Sequence, residues 1–224
     1  MGAAEGFRIF VFDAYGTLFD VHSAAARHKA EIGPASEMLS QIWRLKQLEY
    51  TWIQAAAGRR GTFRAATEQG LDFAIASIGG VPAGVREKLL GAYDSLSAYP
   101  EVPAVLAALK ERGAKVAVLS NGDPDMLASA VSSAGIGHLL DDVVSVAEAG
   151  LFKPAMSVYA LCTARYGCAP GDISFQSSNR WDIAGANMFG FRTTWINRFG
   201  APNEYPDYPA DVILRDLAGL TAGA

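Results

Sequence analysis

Residues 8–18 read Arg8-Ile9-Phe10-Val11-Phe12-Asp13-Ala14-Tyr15-Gly16-Thr17-Leu18. Four apolar residues bounded by Arg8 and Asp13 suit a short strand buried on both faces, as in a parallel sheet. The Asp-Ala-Tyr-Gly-Thr that follows reads as the turn at its carboxyl end, where ligands bind in an open α/β sheet. A carboxylate there can act as a nucleophile that forms a covalent ester, with Gly16 permitting a sharp turn and Thr17 offering a hydroxyl. It can equally cap the next turn. On these residues alone both readings stand, and the remaining chain has to separate them.

The strand pattern stops after Leu18-Phe19 and does not resume for about 95 residues, far beyond an ordinary connection. Within that gap apolar residues recur at helical spacing over 22–32, 36–57, 62–78 and 82–97, punctuated by Gly33-Pro34, 58–61 and Gly79-Gly80. The spacing predicts a four-helix insertion, with Ser36 opening the second helix ahead of an acidic first turn and Pro82 at a first helical position. Tyr99-Pro100 and Val102-Pro103 predict a stiff return segment. Helix and strand then alternate: helix 105–112, strand 115–119, helix 124–134, strand 143–146, helix 155–166, strand 173–176, helix 183–189, strand 193–196 and strand 212–214. That order predicts an α/β fold, a doubly wound parallel sheet, with residues 1–19 and 98–224 forming the Rossmann-like core and 20–97 a helical cap subdomain. Residues 200–209 read as a surface loop and 218–224 as a fraying tail.

With 224 residues, half of them hydrophobic and 19% charged, the chain can bury a full core. A net charge of −4 argues against a nucleic-acid or anionic-membrane surface. No stretch reads as a transmembrane span, and Met1 to Phe7 lack the basic and apolar regions of a secretory signal, so a cytoplasmic protein is expected. Cys162 and Cys168 are too few for a disulfide framework or a metal site and are expected as free thiols.

A parallel sheet would bring the turns after its strands to one edge. Asp13, Ser120-Asn121, Lys153 within Gly150-Leu151-Phe152-Lys153-Pro154, and Ser177-Ser178-Asn179 with Asp182 would all meet there. A nucleophilic carboxylate, a lysine to hold it ionised, hydroxyl and amide donors and a second carboxylate for proton work make a covalent-hydrolysis site. Taken singly, Lys153 could be a solvated loop lysine, Asn121 and Asn179 turn formers and Asp182 an N-cap. Their coincidence at one edge favours the functional reading.

Asp-x-x-Gly-Thr-Leu after the first strand, Ser-Asn after the second, Lys-Pro after the third and an acidic turn after the fourth resemble the four motifs of the haloacid dehalogenase superfamily. Most members are magnesium phosphatases with a second Asp two residues after the nucleophile; here that position is Tyr15. The sequence is more closely similar to the type II L-2-haloacid dehalogenases. These carry Asp-Ala-Tyr-Gly-Thr-Leu-Phe-Asp as at 13–20, Trp-Arg-x-Lys-Gln-Leu-Glu-Tyr-Thr-Trp as at 43–52, and Ser-Ser-Asn-x-Trp-Asp as at 177–182. The resemblance runs from about residue 8 to 199.

That resemblance implies a reaction in which Asp13 displaces halide from C2 of a 2-haloalkanoate and water then hydrolyses the aspartyl ester. Arg44 and Asn121 would face the halide, and Ser120 with the amides of Ala14 and Tyr15 would hold the substrate carboxylate. Thr17 and Ser177 would bind the Asp13 carboxylate, Lys153 would keep it anionic, and Asn179 and Asp182 would position the water; whether Asp182 or Lys153 takes its proton stays open. Tyr159 matches a tyrosine near the family's active site and is expected among the substrate-binding residues. Tyr15, Leu48, Phe63 and Trp181 would wall the pocket, and each also reads as core packing. No metal or cofactor, no nucleic-acid or membrane partner, and a homodimer are implied. A magnesium-dependent phosphatase, a fluoroacetate-active dehalogenase and a binding protein on an inactive scaffold remain as alternatives. Gln176 and Arg180 depart from the apolar or small residues expected there, and Arg180 is expected to add a positive charge near the mouth.

Overall fold

The structure, a computed structural model, describes residues 6–221; the leader region expected to carry no signal therefore lies largely outside the described residues, as do 222–224 of the expected tail. Six strands form one parallel sheet in the order β3-β2-β1-β4-β5-β6. They are β1 (Ile9–Phe12), β2 (Lys115–Ser120), β3 (Asp142–Ser145), β4 (Ile173–Ser177), β5 (Arg192–Ile196) and β6 (Val212–Leu214). From β1 the chain winds outward through β2 and β3, then returns to the other side of β1 and continues through β4 to β6. The order reverses between β1 and β4, so the crevice at a topological switch point opens beside Asp13. Phe12 pairs in register with Val118 and with Gln176, which places the residues after β1, β2 and β4 at one level.

Between β1 and β2 come α1 (Ser23–Arg27), α2 (Lys29–Ile32), α3 (Ser36–Ala56), α4 (Phe63–Ser77), α5 (Val85–Asp94) and α6 (Val102–Glu111). The first helix of the predicted insertion is split: His28 leaves helical geometry with ψ 15° and bonds its ring to Glu31 at 2.9 Å, which separates α1 from α2. Ser36 caps nothing, because its hydroxyl donates to Ala25 O at 3.3 Å and Ala35 is the residue before α3. Pro82 likewise precedes the turn that Gly84 makes before α5. Pro103 sits in the first turn of α6, where its missing N–H costs nothing, so the predicted return segment is shorter than expected.

The insertion leaves and re-enters the core through one narrow neck. Phe19 bridges Ala98 in antiparallel fashion, Asp20 N–H donates to Ser97 O at 2.8 Å, and Tyr99 N–H donates to Leu18 O at 2.9 Å. Arg198, just beyond β5, reaches Thr17 O on one strand of the neck at 2.9 Å and Glu101 past the other at 2.7 Å.

The core helices are completed by α7 (Pro124–Ser133), α8 (Met156–Tyr166) and α9 (Arg180–Phe189). α9 begins three residues before the predicted position, so Arg180, Trp181 and Asp182 occupy its first turn rather than a loop. Leu217 and Leu220 are buried in a short turn, so the last described residues pack rather than fray. No helix among the described residues is long and apolar enough to cross a membrane.

Candidate active site

The turn after β1 is tied to β4, because Asp13 N–H donates to Gln176 O at 2.9 Å. Gly16 has φ +91°, which a side chain would resist, and Ser178, Arg44 and Asn179 close on the turn at van der Waals distance from where its Cβ would be. Within the turn, Leu18 and Phe19 N–H return to Ala14 O and Gly16 N–H to Phe19 O. The Ala14 and Tyr15 amides take no part in those bonds.

The Asp13 carboxylate is 6% exposed and its two oxygens differ. Oδ2 accepts from Asn179 Nδ2 at 2.7 Å, Thr17 Oγ1 at 3.1 Å and Ser177 Oγ at 3.4 Å, whereas Oδ1 faces Lys153 Nζ at 3.2 Å. Ser178 settles the Thr17 hydroxyl. Its N–H donates to Thr17 Oγ1 at 2.8 Å and its own hydroxyl goes to Gly16 O, so the Thr17 hydrogen is the donor in that group, with Asp13 Oδ2 at 3.1 Å and Ser178 Oγ at 3.0 Å as its acceptors.

Lys153 is fully buried between two carboxylates, with Nζ 2.8 Å from Asp182 Oδ2 and 5.0 Å from the centre of the Phe175 ring. Its N–H donates to Asn121 Oδ1 at 2.9 Å, so Asn121 braces the lysine loop with its oxygen and is left with its NH2 for a ligand. Burial alone would lower the Lys153 ammonium, but the charges of Asp13 and Asp182 more than reverse this and raise it. Burial pushes the Asp182 carboxyl up to about 6; Lys153 pulls it back and Asp13 adds to the rise. Tyr159, fully buried, donates to Asp182 Oδ1 at 2.8 Å, and burial followed by that carboxylate holds its hydroxyl well above the ordinary value. Tyr159 thus stands behind Asp182, on the carboxylate oxygen that Lys153 does not meet.

A magnesium of the phosphatase kind is held by carboxylate oxygens. Here the Lys153 ammonium lies between the two carboxylates, and among the described residues no group of three or more His, Cys, Asp or Glu is placed to hold an ion.

The helical insertion brings Arg44 from α3 onto this edge. Its Nη2 donates to Tyr15 O at 2.9 Å and Asn179 Oδ1 at 3.2 Å, and Nη1 to Gln47 Oε1 at 2.8 Å. The Tyr15 ring stacks on Tyr93 at 5.6 Å and packs on Phe63 at 5.0 Å, so both expected wall residues lie in an aromatic cluster shared by core and insertion. Trp181 meets Trp52 edge to face at 5.5 Å, which joins two tryptophans read from separate motifs. Leu48 lines a cavity of about 280 Å³ together with Arg44, Asn179 and Trp181. Ser120 is buried and accepts from Gly122 N–H at 3.1 Å, which leaves its hydrogen for another partner.

Arg180 lines that cavity too, but it is not a free charge at the mouth. Its guanidinium donates to Asn203 Oδ1, Tyr205 O and Tyr208 O at 2.7–3.1 Å and is buried under Trp195 and Tyr205, so it fastens the loop 200–209. Burial lowers it from the ordinary arginine value. Gln176, the other departure, is fully buried and donates to Ser174 Oγ at 2.6 Å, on its own strand. Sequence reasoning placed Ser178 at this edge without a role of its own and passed over Gln47, Tyr93 and Arg198. Gln47 lies inside a quoted motif, and nothing local marked the other two.

The chain belongs to the haloacid dehalogenase-like hydrolases, a family it matches over residues 7–190. Within that class it is 42% identical to (S)-2-haloacid dehalogenase 1 of Pseudomonas sp. (strain CBS-3), over 95% of this chain and 94% of that one. It is 40% identical to (S)-2-haloacid dehalogenase 4A of Burkholderia cepacia, over 96% and 94% of the two chains. Among solved structures, L-2-haloacid dehalogenase of Xanthobacter autotrophicus with chloropropionic acid covalently bound superposes with a TM-score of 0.85 at 32% identity, covering 97% of this chain and all of that one. The resemblance read from residues 13–20, 43–52 and 177–182 therefore extends over nearly the whole chain.

Proposed function

We propose that this chain hydrolyses (S)-2-haloacids to (R)-2-hydroxyacids and halide through an ester on Asp13, without metal or cofactor. The observation that carries the reading is the unequal dressing of the two Asp13 oxygens. Oδ1, with a single partner, keeps lone pairs for in-line attack at C2; the C–X bond breaks and the halide leaves with the electron pair toward Arg44 and Asn121. Oδ2 becomes the ester carbonyl oxygen, and its three donors then stabilise the oxyanion formed when water adds to the Asp13 Cγ. Collapse returns the product alkoxide oxygen, which was Oδ1, and leaves the water oxygen in Asp13. Asn179 and Asp182 position the water. Asp182, raised to about 6, suits the role of proton acceptor at neutral pH, whereas Lys153, raised above the ordinary lysine value, suits that of a fixed cation.

Ser120 and the Ala14 and Tyr15 amides bind the substrate carboxylate, and Tyr15, Phe63, Leu48 and Trp181 enclose its alkyl part. Residues 20–97 act as a cap. The protein works in the cytoplasm as a homodimer paired through the cap, where Met38, Leu45 and Ile53 expose more than half their surface along α3; sedimentation of the purified chain tests the pairing. Chloride release from (S)-2-chloropropionate in metal-free buffer, with one turnover in heavy-oxygen water placing the label in Asp13, tests the reaction. Magnesium-dependent cleavage of phosphate esters without halide release would replace this reading with a phosphatase.

A further inference from the structure

We infer that Gln47 is the positioning residue for Arg44: it aims the guanidinium as a neutral acceptor and so leaves the positive charge uncompensated for an anion. This rests on the reading above, in which Arg44 serves the halide. Gln47 lies one helical turn past Arg44 on α3, is fully buried, and accepts from Arg44 Nη1 at 2.8 Å. Which end of its amide faces Arg44 is fixed from the far side. The Thr67 hydroxyl donates to Phe63 O at 2.8 Å, so toward Gln47, 2.6 Å away, it can only accept. The Gln47 nitrogen must therefore face α4 and its oxygen must face Arg44. Tyr93 closes the arrangement from α5, its hydroxyl 2.9 Å from Nε2 and 3.1 Å from Oε1, while its ring stacks on Tyr15.

Among the described residues the acceptors of the Arg44 guanidinium are neutral dipoles: the Gln47 amide, the Tyr15 carbonyl and the Asn179 amide. Arg60 and Arg64, which join the insertion to the core, are each paired with a carboxylate, while Arg27, which meets only the Ser95 and Ser97 hydroxyls, does so at an exposed site. A glutamate in place of Gln47 would keep the shape and the acceptor but cancel the charge, because an ion pair at such a distance in a buried site screens the cation from a second anion. A methionine would keep the charge and lose the aim. The amide is the side chain of this length that separates the two.

The test compares wild type with Gln47→Glu, Gln47→Met and Thr67→Val, using folded fractions established by near-ultraviolet circular dichroism. Chloride binding is read from chloride nuclear magnetic resonance line broadening, which needs no turnover, and kcat and KM from halide release. Gln47→Glu is expected to weaken chloride binding and kcat/KM by at least about tenfold, with ester hydrolysis in a single turnover unchanged. Gln47→Met is expected to keep chloride binding within about threefold while lowering kcat, since an unaimed cation still attracts but no longer meets the leaving group. Thr67→Val, which frees the amide to rotate, is expected to lower kcat/KM several-fold; it decides the matter if Gln47→Glu does not fold. Chloride affinity in Gln47→Glu equal to wild type, no effect of Thr67→Val on kcat/KM, or no chloride binding by the wild type would overturn the inference. Chloride binding that Gln47→Glu weakens, in a wild type that releases no halide from 2-haloacids, would keep the inference and sink the reaction.

Discussion

Lys153 and Asp182 form an ion pair 2.8 Å long with no exposed surface on either partner. Neither charge could sit there alone, since an isolated buried charge costs several kcal/mol. The pair also leans on Asp13, so two carboxylates share one cation, and the more deeply buried of them is pushed up. Lys153→Met is therefore expected to lower unfolding free energy by about 3–5 kcal/mol and halide release by at least about a hundredfold. Urea unfolding and halide assays on the same preparation check both; a stable, fully active variant would refute the arrangement.

The Asp182 shift fixes a pH dependence. If Asp182 accepts the proton of the hydrolytic water, it must be ionised, so kcat should rise through about pH 6 and level off above it. The sign for stability is opposite. A carboxyl raised from 3.8 to about 6 favours the folded chain most fully below pH 3.8 and loses that contribution as pH climbs through 6. Asp182→Asn is expected to trap the ester on Asp13, visible by mass spectrometry at every pH; turnover at the wild-type rate would exclude Asp182 from the step.

Tyr159 tunes that value. Its hydroxyl hydrogen bond lowers the Asp182 carboxyl, so Tyr159→Phe should raise it. One hydrogen bond to a carboxylate corresponds to roughly one to two pH units, and the acid limb of kcat should move upward by up to that amount. A change in KM alone, with the limb in place, would return Tyr159 to the substrate side.

Gly122 is expected to tolerate no side chain. A Cβ there would lie 2.8 Å from the Tyr15 ring and 2.9 Å from Leu127, so Gly122→Ala must displace the ring that walls the pocket. The cost should be about 1–3 kcal/mol in urea unfolding, with a larger proportional loss in kcat/KM than a surface substitution gives. Unchanged stability and kinetics would show that the Tyr15 ring has room to move.

Much of this was legible because the informative residues sit where local pattern changes. The apolar runs at β1, β2 and β4 end at Asp13, Ser120 and Ser177, and a parallel sheet has only one edge on which such ends can meet. What was misread lay at helix starts, where local cues compete: Pro103 reads as part of a stiff return segment yet sits in the opening turn of α6, whereas Pro82 reads as a first helical residue yet precedes a glycine turn. Arg180 was misread because a charge beside a motif gives no hint of its acceptors, and those are carbonyls some 25 residues later. The Gln47–Thr67–Tyr93 contacts join three helices, and no local periodicity reports a bond between them.

The neck at Phe19 and Ala98 separates two kinds of inheritance. In the proposed reaction everything that attacks or activates water is encoded outside it, on Asp13, Lys153, Asn179 and Asp182. The cation for the departing group is encoded inside it, on Arg44 and the amide that aims it, with Asn121 as its partner from the core. Because both crossings fall at one point, a different helical cassette spliced between residues 19 and 98 would exchange the leaving-group chemistry and keep the hydrolytic machinery, which makes this junction a natural place for recombination or for grafting a new specificity.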